Sequence, residues 1–148
     1  MIYTPKTKLA MKIAYEAHLG QVDKAGVPYI MHPIHLAEQC KDETTTIIAL
    51  LHDVVEDNKD YTFEKLKELG FEKREIDALK LLTHEKGVPY MDYVEKIKEN
   101  KDATKVKLLD LEHNLDETRF DEEERQAMLE KMSGKREKYK KAIAYLKE

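Results

Sequence analysis

The stretch Ile47-Ile48-Ala49-Leu50-Leu51-His52-Asp53-Val54-Val55-Glu56-Asp57 sets an unbroken apolar run directly against a cluster of ionisable residues. With apolar residues on nearly every side, the segment predicts a helix, capped by Asp42 and reaching Val54, that is buried all round and therefore central to its fold. His52, Asp53, Glu56 and Asp57 then stand at the C-terminal end of that helix. Burying such groups unpaired is costly, whereas a divalent cation compensates most of their charge. The same run at a solvated helix end costs nothing, and spacing alone does not choose between the two.

Outward from this stretch, apolar residues recur three and four apart with Lys and Glu on the opposite face, which predicts seven or eight helices and no sheet. Thr4-Pro5 is an N-cap and first-turn pair for a helix carrying Leu9, Ile13, Ala14 and Ala17. Residues 20–32 carry Gly20, Gly26 and Pro28 without periodicity and predict a loop, with a short helix from near Pro33 through Ala37. Loops of this length in a small domain are often functional. Thr62 caps a further helix that Gly70 ends, another takes in Ile76, Leu79 and Leu82, and two more cover Met91 to Lys98 and Thr104 to Asn114. The remainder from Glu122 to Lys147 is charged and helical, with a break expected at Ser133-Gly134 and an inward face of Met128, Met132, Tyr139, Ile143 and Leu146. A packing cap is the preferred role of this stretch, and a dimer contact is the alternative.

Composition narrows the class. The chain's 148 residues suit one domain, and 41% hydrophobic with 38% charged residues supply a core under a charged surface. Five Gly and four Pro are too few for a sandwich or barrel of many short strands. A balance of 26 Lys and Arg against 30 Asp and Glu, net −4, argues against a nucleic-acid partner. Cys40 is the single cysteine, which excludes an internal disulfide and a thiolate zinc cluster and fits a reducing compartment. The amphipathic N-terminus is too polar for a signal peptide, and no run is apolar enough to span a membrane, so a soluble cytoplasmic domain is expected.

The histidines matter by position. His32 ends the loop, His52-Asp53 closes the central helix, and Asp110 with His113 one turn on occupies a later helix. A transition-metal site draws imidazole and carboxylate ligands from separate parts of a chain, and these three segments can supply them. A lone buried histidine is more often a core residue with a satisfied hydrogen bond, and His-Asp pairs also arise by chance.

Four motifs break the tie: His18-Leu-Gly-Gln21; Gly26-Val-Pro28-Tyr29-Ile30-Met-His32-Pro33; Ala49-Leu-Leu-His52-Asp53-Val-Val-Glu56-Asp57; and Val106-Lys107-Leu-Leu-Asp110 with His113-Asn114. In order and spacing, over residues 6–120, the chain closely resembles HD-domain hydrolases of the RelA/SpoT type. The resemblance implies an all-α HD domain over residues 1–148, with 121–148 a helical extension packed on it. It implies that His32, His52, Asp53 and Asp110 hold one divalent metal ion, manganese in the alarmone hydrolases. Two imidazoles and two carboxylates suit Mn, Fe, Co or Zn. It implies further that Glu56 and Asp57 position or deprotonate the attacking water, that Asn114 contacts the nucleotide's sugar or phosphate, and that Lys24 contacts its phosphates. Tyr29, Pro28 and Pro33 are expected to shape the loop, with lining the pocket as the alternative, and His35 to stand behind the ligands or at the surface.

Two positions depart from the resemblance. The family usually carries Arg-Lys where this chain has Asp23-Lys24, and a Lys or Arg after the metal-binding Asp where this chain has Leu111-Glu112. Both changes remove a cation from a pocket built for a pyrophosphate-bearing nucleotide. Lys24, Lys86, Lys107 and Arg119 are the candidate replacements, with Arg119 also able to pair with Asp116 one helical turn away. The expected activity is metal-dependent hydrolysis of a phosphate ester or pyrophosphate on a nucleotide-like molecule, with (p)ppGpp 3′-pyrophosphate the narrower expectation. The alternative is a regulatory module that binds metal and nucleotide without turnover. The partner is a small phosphorylated molecule, and the chain is expected to be a monomer or homodimer.

Overall fold

The computed structural model describes residues 1–148, the side chain of Ser133 excepted. Its helices are α1 (Pro5–Ala17), α2 (Met31–Glu38), α3 (Glu43–Leu51), α4 (Val54–Asp57), α5 (Phe63–Glu68), α6 (Lys73–Leu82), α7 (Tyr90–Lys98), α8 (Lys101–Leu115) and α9 (Glu122–Lys147). The all-α class expected from the residues is what the fold shows, with nine helices among the described residues rather than seven or eight.

Helix α3 is the axis of the bundle. Ile47, Ile48, Ala49 and Leu50 are fully buried and Leu51 nearly so, and α3 packs against α1, α2, α6 and α8. Fully burying each such Leu or Ile contributes about 1.5–3 kcal/mol, so this helix anchors the core. It starts where its cap dictates, with the Asp42 side chain accepting from the Thr45 backbone N–H at 2.8 Å. Thr4 and Thr62 cap α1 and α5 in the same manner, both at 3.1 Å.

Three boundaries differ from the sequence expectation. The central helix stops at Leu51; His52 and Asp53 form a turn, and α4 is a separate single turn. The apolar pattern conceals this break because Val54 and Val55 continue the periodicity across it. Helix α2 begins at Met31, so His32 lies in its first turn and not at the end of a loop. Helix α9 runs unbroken through Gly134. A mid-helix glycine costs only about 1 kcal/mol, and the strong helix formers around it outweigh that.

The segment between α1 and α2 is stapled rather than loose. An isolated antiparallel bridge joins Val22 and Pro28, and the Asp23 carboxylate accepts from the backbone N–H groups of Ala25 and Val27 at 2.8 and 3.0 Å. Gly26 closes this hairpin-like turn with φ +78°, a left-handed conformation that side-chain-bearing residues rarely adopt. Helix α9 lies across α7 and α8, burying Ala142 and Leu146 and turning Tyr139 and Ile143 partly inward. No helix among the described residues is long and apolar enough to cross a membrane.

Candidate metal centre

The turn that ends α3 brings its two polar residues to the point where α2 and α8 converge. His32 from α2, His52 and Asp53 from the turn, and Asp110 from α8 meet there. One ligand atom from each of His32, His52 and Asp53 lies within 4.8 Å of the others. Asp110 joins them, its Oδ1 2.9 Å from His32 Nε2 and 3.6 Å from His52 Nε2. Asp53 Oδ2 lies 3.0 Å from His52 Nε2 and 4.0 Å from His32 Nε2. Atoms that ligate one ion at about 2.0–2.2 Å stand roughly this far apart.

The donor set fits a divalent ion. His52 Nδ1 faces the Ala49 carbonyl at 2.6 Å, which places a ring proton on Nδ1 and turns Nε2 to the carboxylates. Burial opposes charge on this ring, but Asp53 and Asp110 raise its pKa well above the usual value, so Nε2 becomes a lone-pair donor where a cation takes the place of its proton. That Nε2 is buried and makes no hydrogen bond. Burial disfavours charge on both carboxylates, yet His52 beside Asp53 lowers its pKa to about 2, and Lys107 beside Asp110 holds that carboxyl well below its usual range. Both are therefore ionised at neutral pH, and the arrangement can take one divalent metal ion.

The centre opens into a cavity of about 210 Å³ whose lining includes Glu56, His84, Tyr93, Lys107, Asn114 and Tyr139. Burial, and then the Asp53 and Asp57 charges, raise the pKa of Glu56, which suits a group that accepts a proton. Asp57 is placed differently. It does not line this cavity but is held from behind, accepting from Gln21 Nε2 at 3.0 Å, while His18 Nδ1 holds the Gln21 amide oxygen at 2.9 Å. Lys107, expected to face phosphate, has its ammonium committed to Asp110 Oδ2 at 2.9 Å. It still lines the cavity, where Asn114 also donates to Asp110 at 3.3 Å.

A second cavity of about 270 Å³ adjoins the first through Asn114 and Tyr139. Gln21, Asp23, Lys24 and Tyr29 form one side, Arg119 and Phe120 another, and Met128 and Met132 of α9 the back. Here the loop carboxylate meets a cation. Asp23 pairs with Arg119 across 96 residues of sequence, bringing a guanidinium to the loop position where the chain carries a carboxylate. Arg119 does not pair with Asp116, whose side chain instead accepts from the Thr118 backbone N–H at 2.9 Å and its hydroxyl at 2.7 Å. Leu111 is fully buried in the core, and Glu112 faces Lys147 of α9 at 3.5 Å. The Leu111-Glu112 change therefore falls outside both cavities. Lys86 lines neither.

Several residues prove more closely involved than their types suggested. Tyr29, expected to shape the loop or to line the pocket, donates its hydroxyl to Asp53 Oδ2. His18 and Gln21 anchor Asp57, and His35 is exposed with its ring stacked on His113 at 4.1 Å between centroids. Thr83 ends α6, its hydroxyl donating to the Leu79 carbonyl at 3.0 Å. The available signal for their roles was that Tyr29 shares a motif with His32 and that His18 and Gln21 share one with each other.

A helical bundle that gathers two histidines and two aspartates at the end of its central helix is an HD-domain architecture. No family model matches the chain. Its sequence is 32% identical, over 84% of its length, to a Mycobacterium leprae protein named for GTP pyrophosphokinase activity, of which it covers 18%. It is 48% identical over 40% of its length to a guanosine-3′,5′-bis(diphosphate) 3′-pyrophosphohydrolase of Aquifex aeolicus and 40% identical over 43% to the bifunctional (p)ppGpp synthase/hydrolase SpoT of Escherichia coli. The chain spans 9% and 10% of those two relatives. The solved structure of a metazoan ortholog of SpoT that hydrolyses ppGpp superposes on 99% of this chain and 87% of its own, with a TM-score of 0.69 and 24% identity. The chain belongs among the homologues of the RelA/SpoT-type proteins and shares their HD fold.

Proposed function

We propose that the chain is a metal-dependent phosphohydrolase of nucleotide-like substrates, and that its substrate is guanosine 3′,5′-bis(diphosphate) or a close relative, cleaved at the 3′-pyrophosphate. The observation that carries this is the meeting of His32, His52, Asp53 and Asp110 beside a cavity walled by Glu56. We assign those four residues as ligands of one ion, Mn²⁺ by preference, with Fe, Co or Zn also suited to mixed nitrogen and oxygen donors. When bound, such an ion supplies Lewis acidity toward a phosphoryl oxygen and lowers the pKa of water.

The chain's own groups do the rest. Glu56 accepts the proton of the attacking water, its basicity sustained by the Asp53 and Asp57 charges behind it. Gln21 and His18 keep Asp57 fixed in that supporting position. Asn114 stands where the two cavities join, so it can contact sugar or phosphate while Lys24 and Arg119 meet the rest of the nucleotide. Homologues named for (p)ppGpp hydrolysis support this substrate class. The absence of a membrane-spanning helix is compatible with the cytoplasmic location proposed here.

The test is a phosphate and pyrophosphate release assay with Mn²⁺ over nucleoside mono-, di- and triphosphates and 3′,5′-bisphosphorylated nucleotides including ppGpp. Pyrophosphate from ppGpp, abolished by chelator and restored by Mn²⁺, is the expected result. Hydrolysis of a different nucleotide alone would reject the narrower substrate, and no turnover of any member would reject the activity.

Arg119 gives a sharper prediction about the second cavity. Removing a charge-assisted hydrogen bond costs about 1.5–3 kcal/mol, about 10–100-fold in affinity. Arg119→Ala is expected to raise KM by that factor while kcat changes by less than about threefold, because Arg119 binds away from the reacting atoms. Steady-state kinetics on the best substrate reads both numbers, and a fall in kcat at constant KM contradicts the assignment.

A further inference from the structure

The two histidine ligands are supported in different ways. His52 rests its Nδ1 on a backbone carbonyl. His32 presents Nε2 to the carboxylates, and its Nδ1 lies 2.7 Å from Nδ1 of His113. Two imidazole nitrogens this close share one hydrogen, so one donates and the other accepts. For His32 Nε2 to offer a lone pair to a metal, the His32 proton must sit on Nδ1, and His113 Nδ1 must be the acceptor.

We propose that His113 is a positioning residue for the metal centre, accepting the Nδ1–H of His32 and so fixing both the tautomer and the ring orientation of that ligand. This rests on His32 being a metal ligand, as proposed above. Metal-bound histidines usually donate their second ring N–H to a carboxylate or carbonyl, and here an imidazole takes that place. His113 is not a further ligand. Its contacting nitrogen is spent on His32, on the side of that ring away from Nε2, and it stands outside the cluster of ligand atoms.

The fold holds the acceptor in place. Helix α8 carries Asp110 and His113 one turn apart, so a single face supplies both a ligand and the support of another ligand. The His113 ring is 92% removed from solvent as part of its residue, with the His35 ring stacked on it at 4.1 Å and the His32 ring near-parallel at 12°. Arg119 donates to the His113 carbonyl at 3.4 Å, tying the end of α8 to the second cavity.

The test uses the full chain, stripped with chelator and titrated with Mn²⁺ by calorimetry, with thermal melting of the metal-free protein alongside. His113→Leu removes the acceptor; His113→Asn replaces Nδ1 with an amide oxygen that can accept the same proton. His113→Leu is expected to weaken Mn²⁺ binding about 10–100-fold, the usual effect of losing such a partner. His113→Asn is expected to stay within about threefold of wild type, less than 1 kcal/mol by the affinity relation. Both variants are expected to melt metal-free at the wild-type temperature. Unchanged Mn²⁺ affinity in His113→Leu overturns the proposal, as does equal weakening in a folded His113→Asn, which would assign the effect to bulk. A wild-type chain that takes up no Mn²⁺ is a separate outcome, and it refutes the metal centre itself.

Discussion

Replacing His52 with alanine is expected to strip the chain of its divalent ion and lower hydrolysis of the best nucleotide substrate at least ~10³-fold, about 4 kcal/mol of transition-state stabilisation. His52 Nε2 is buried without a hydrogen bond and sits between Asp53 at 3.0 Å and Asp110 at 3.6 Å. Its removal leaves two ionised carboxylates facing each other with one imidazole between them, so the site loses a neutral donor while keeping all of its negative charge. The stability gained from added Mn²⁺ follows binding by mass action and should disappear with it. Metal content after dialysis, the Mn²⁺-induced rise in melting temperature and the rate of phosphate release together read the prediction. A His52→Ala protein that retains a full complement of metal would contradict the ligand assignment.

The second large effect separates chemistry from binding. Glu56→Gln keeps the shape of the side chain and deletes its ability to accept a proton, which is expected to cost about 10²–10⁴ in kcat. Glu56 is not among the ligand atoms, so the Mn²⁺ affinity of this variant should stay within about threefold of wild type, a shift of less than 1 kcal/mol. Asp57→Asn offers the contrast within the same pair. Because Asp57 is held by Gln21 and lies off the cavity wall, its loss is expected to reduce the rate by less than that of Glu56. Equal losses at the two positions, measured by single-turnover kinetics, would exchange or merge their roles.

The central helix was legible because no soluble helix carries Ile47 through Leu51 on all sides unless its neighbours cover it, and the structure covers it from four directions. The segments that carry His32, His52, Asp53 and Asp110 were legible as separate motifs whose spacing matched a known pattern, and the structure brings these side chains together. What stayed hidden depended on contacts between distant residues. Asp23 looked like a lost cation because nothing near it in sequence is positive except Lys24, while its partner Arg119 arrives from beyond α8. The local alternative, Asp116 with Arg119, follows a rule for residues within a helix. Asp116 is the C-cap of α8, where the chain has already turned extended. Tyr29 was invisible as a partner of Asp53 for a related reason: an aromatic residue in a turn reveals its packing, and its hydroxyl's target belongs to another element.

Helix α9 gives the second cavity its back wall through Met128 and Met132, and Tyr139 borders both cavities. These side chains come from a stretch outside the segment that carries the ligands. The flexible thioethers of methionine adapt to differently shaped guests at little cost. Under the proposed function, α9 therefore shapes the cavity to which Lys24 and Arg119 bring charge, and a change of guest could begin in this one helix while the four residues gathered at the end of α3 stayed as they are.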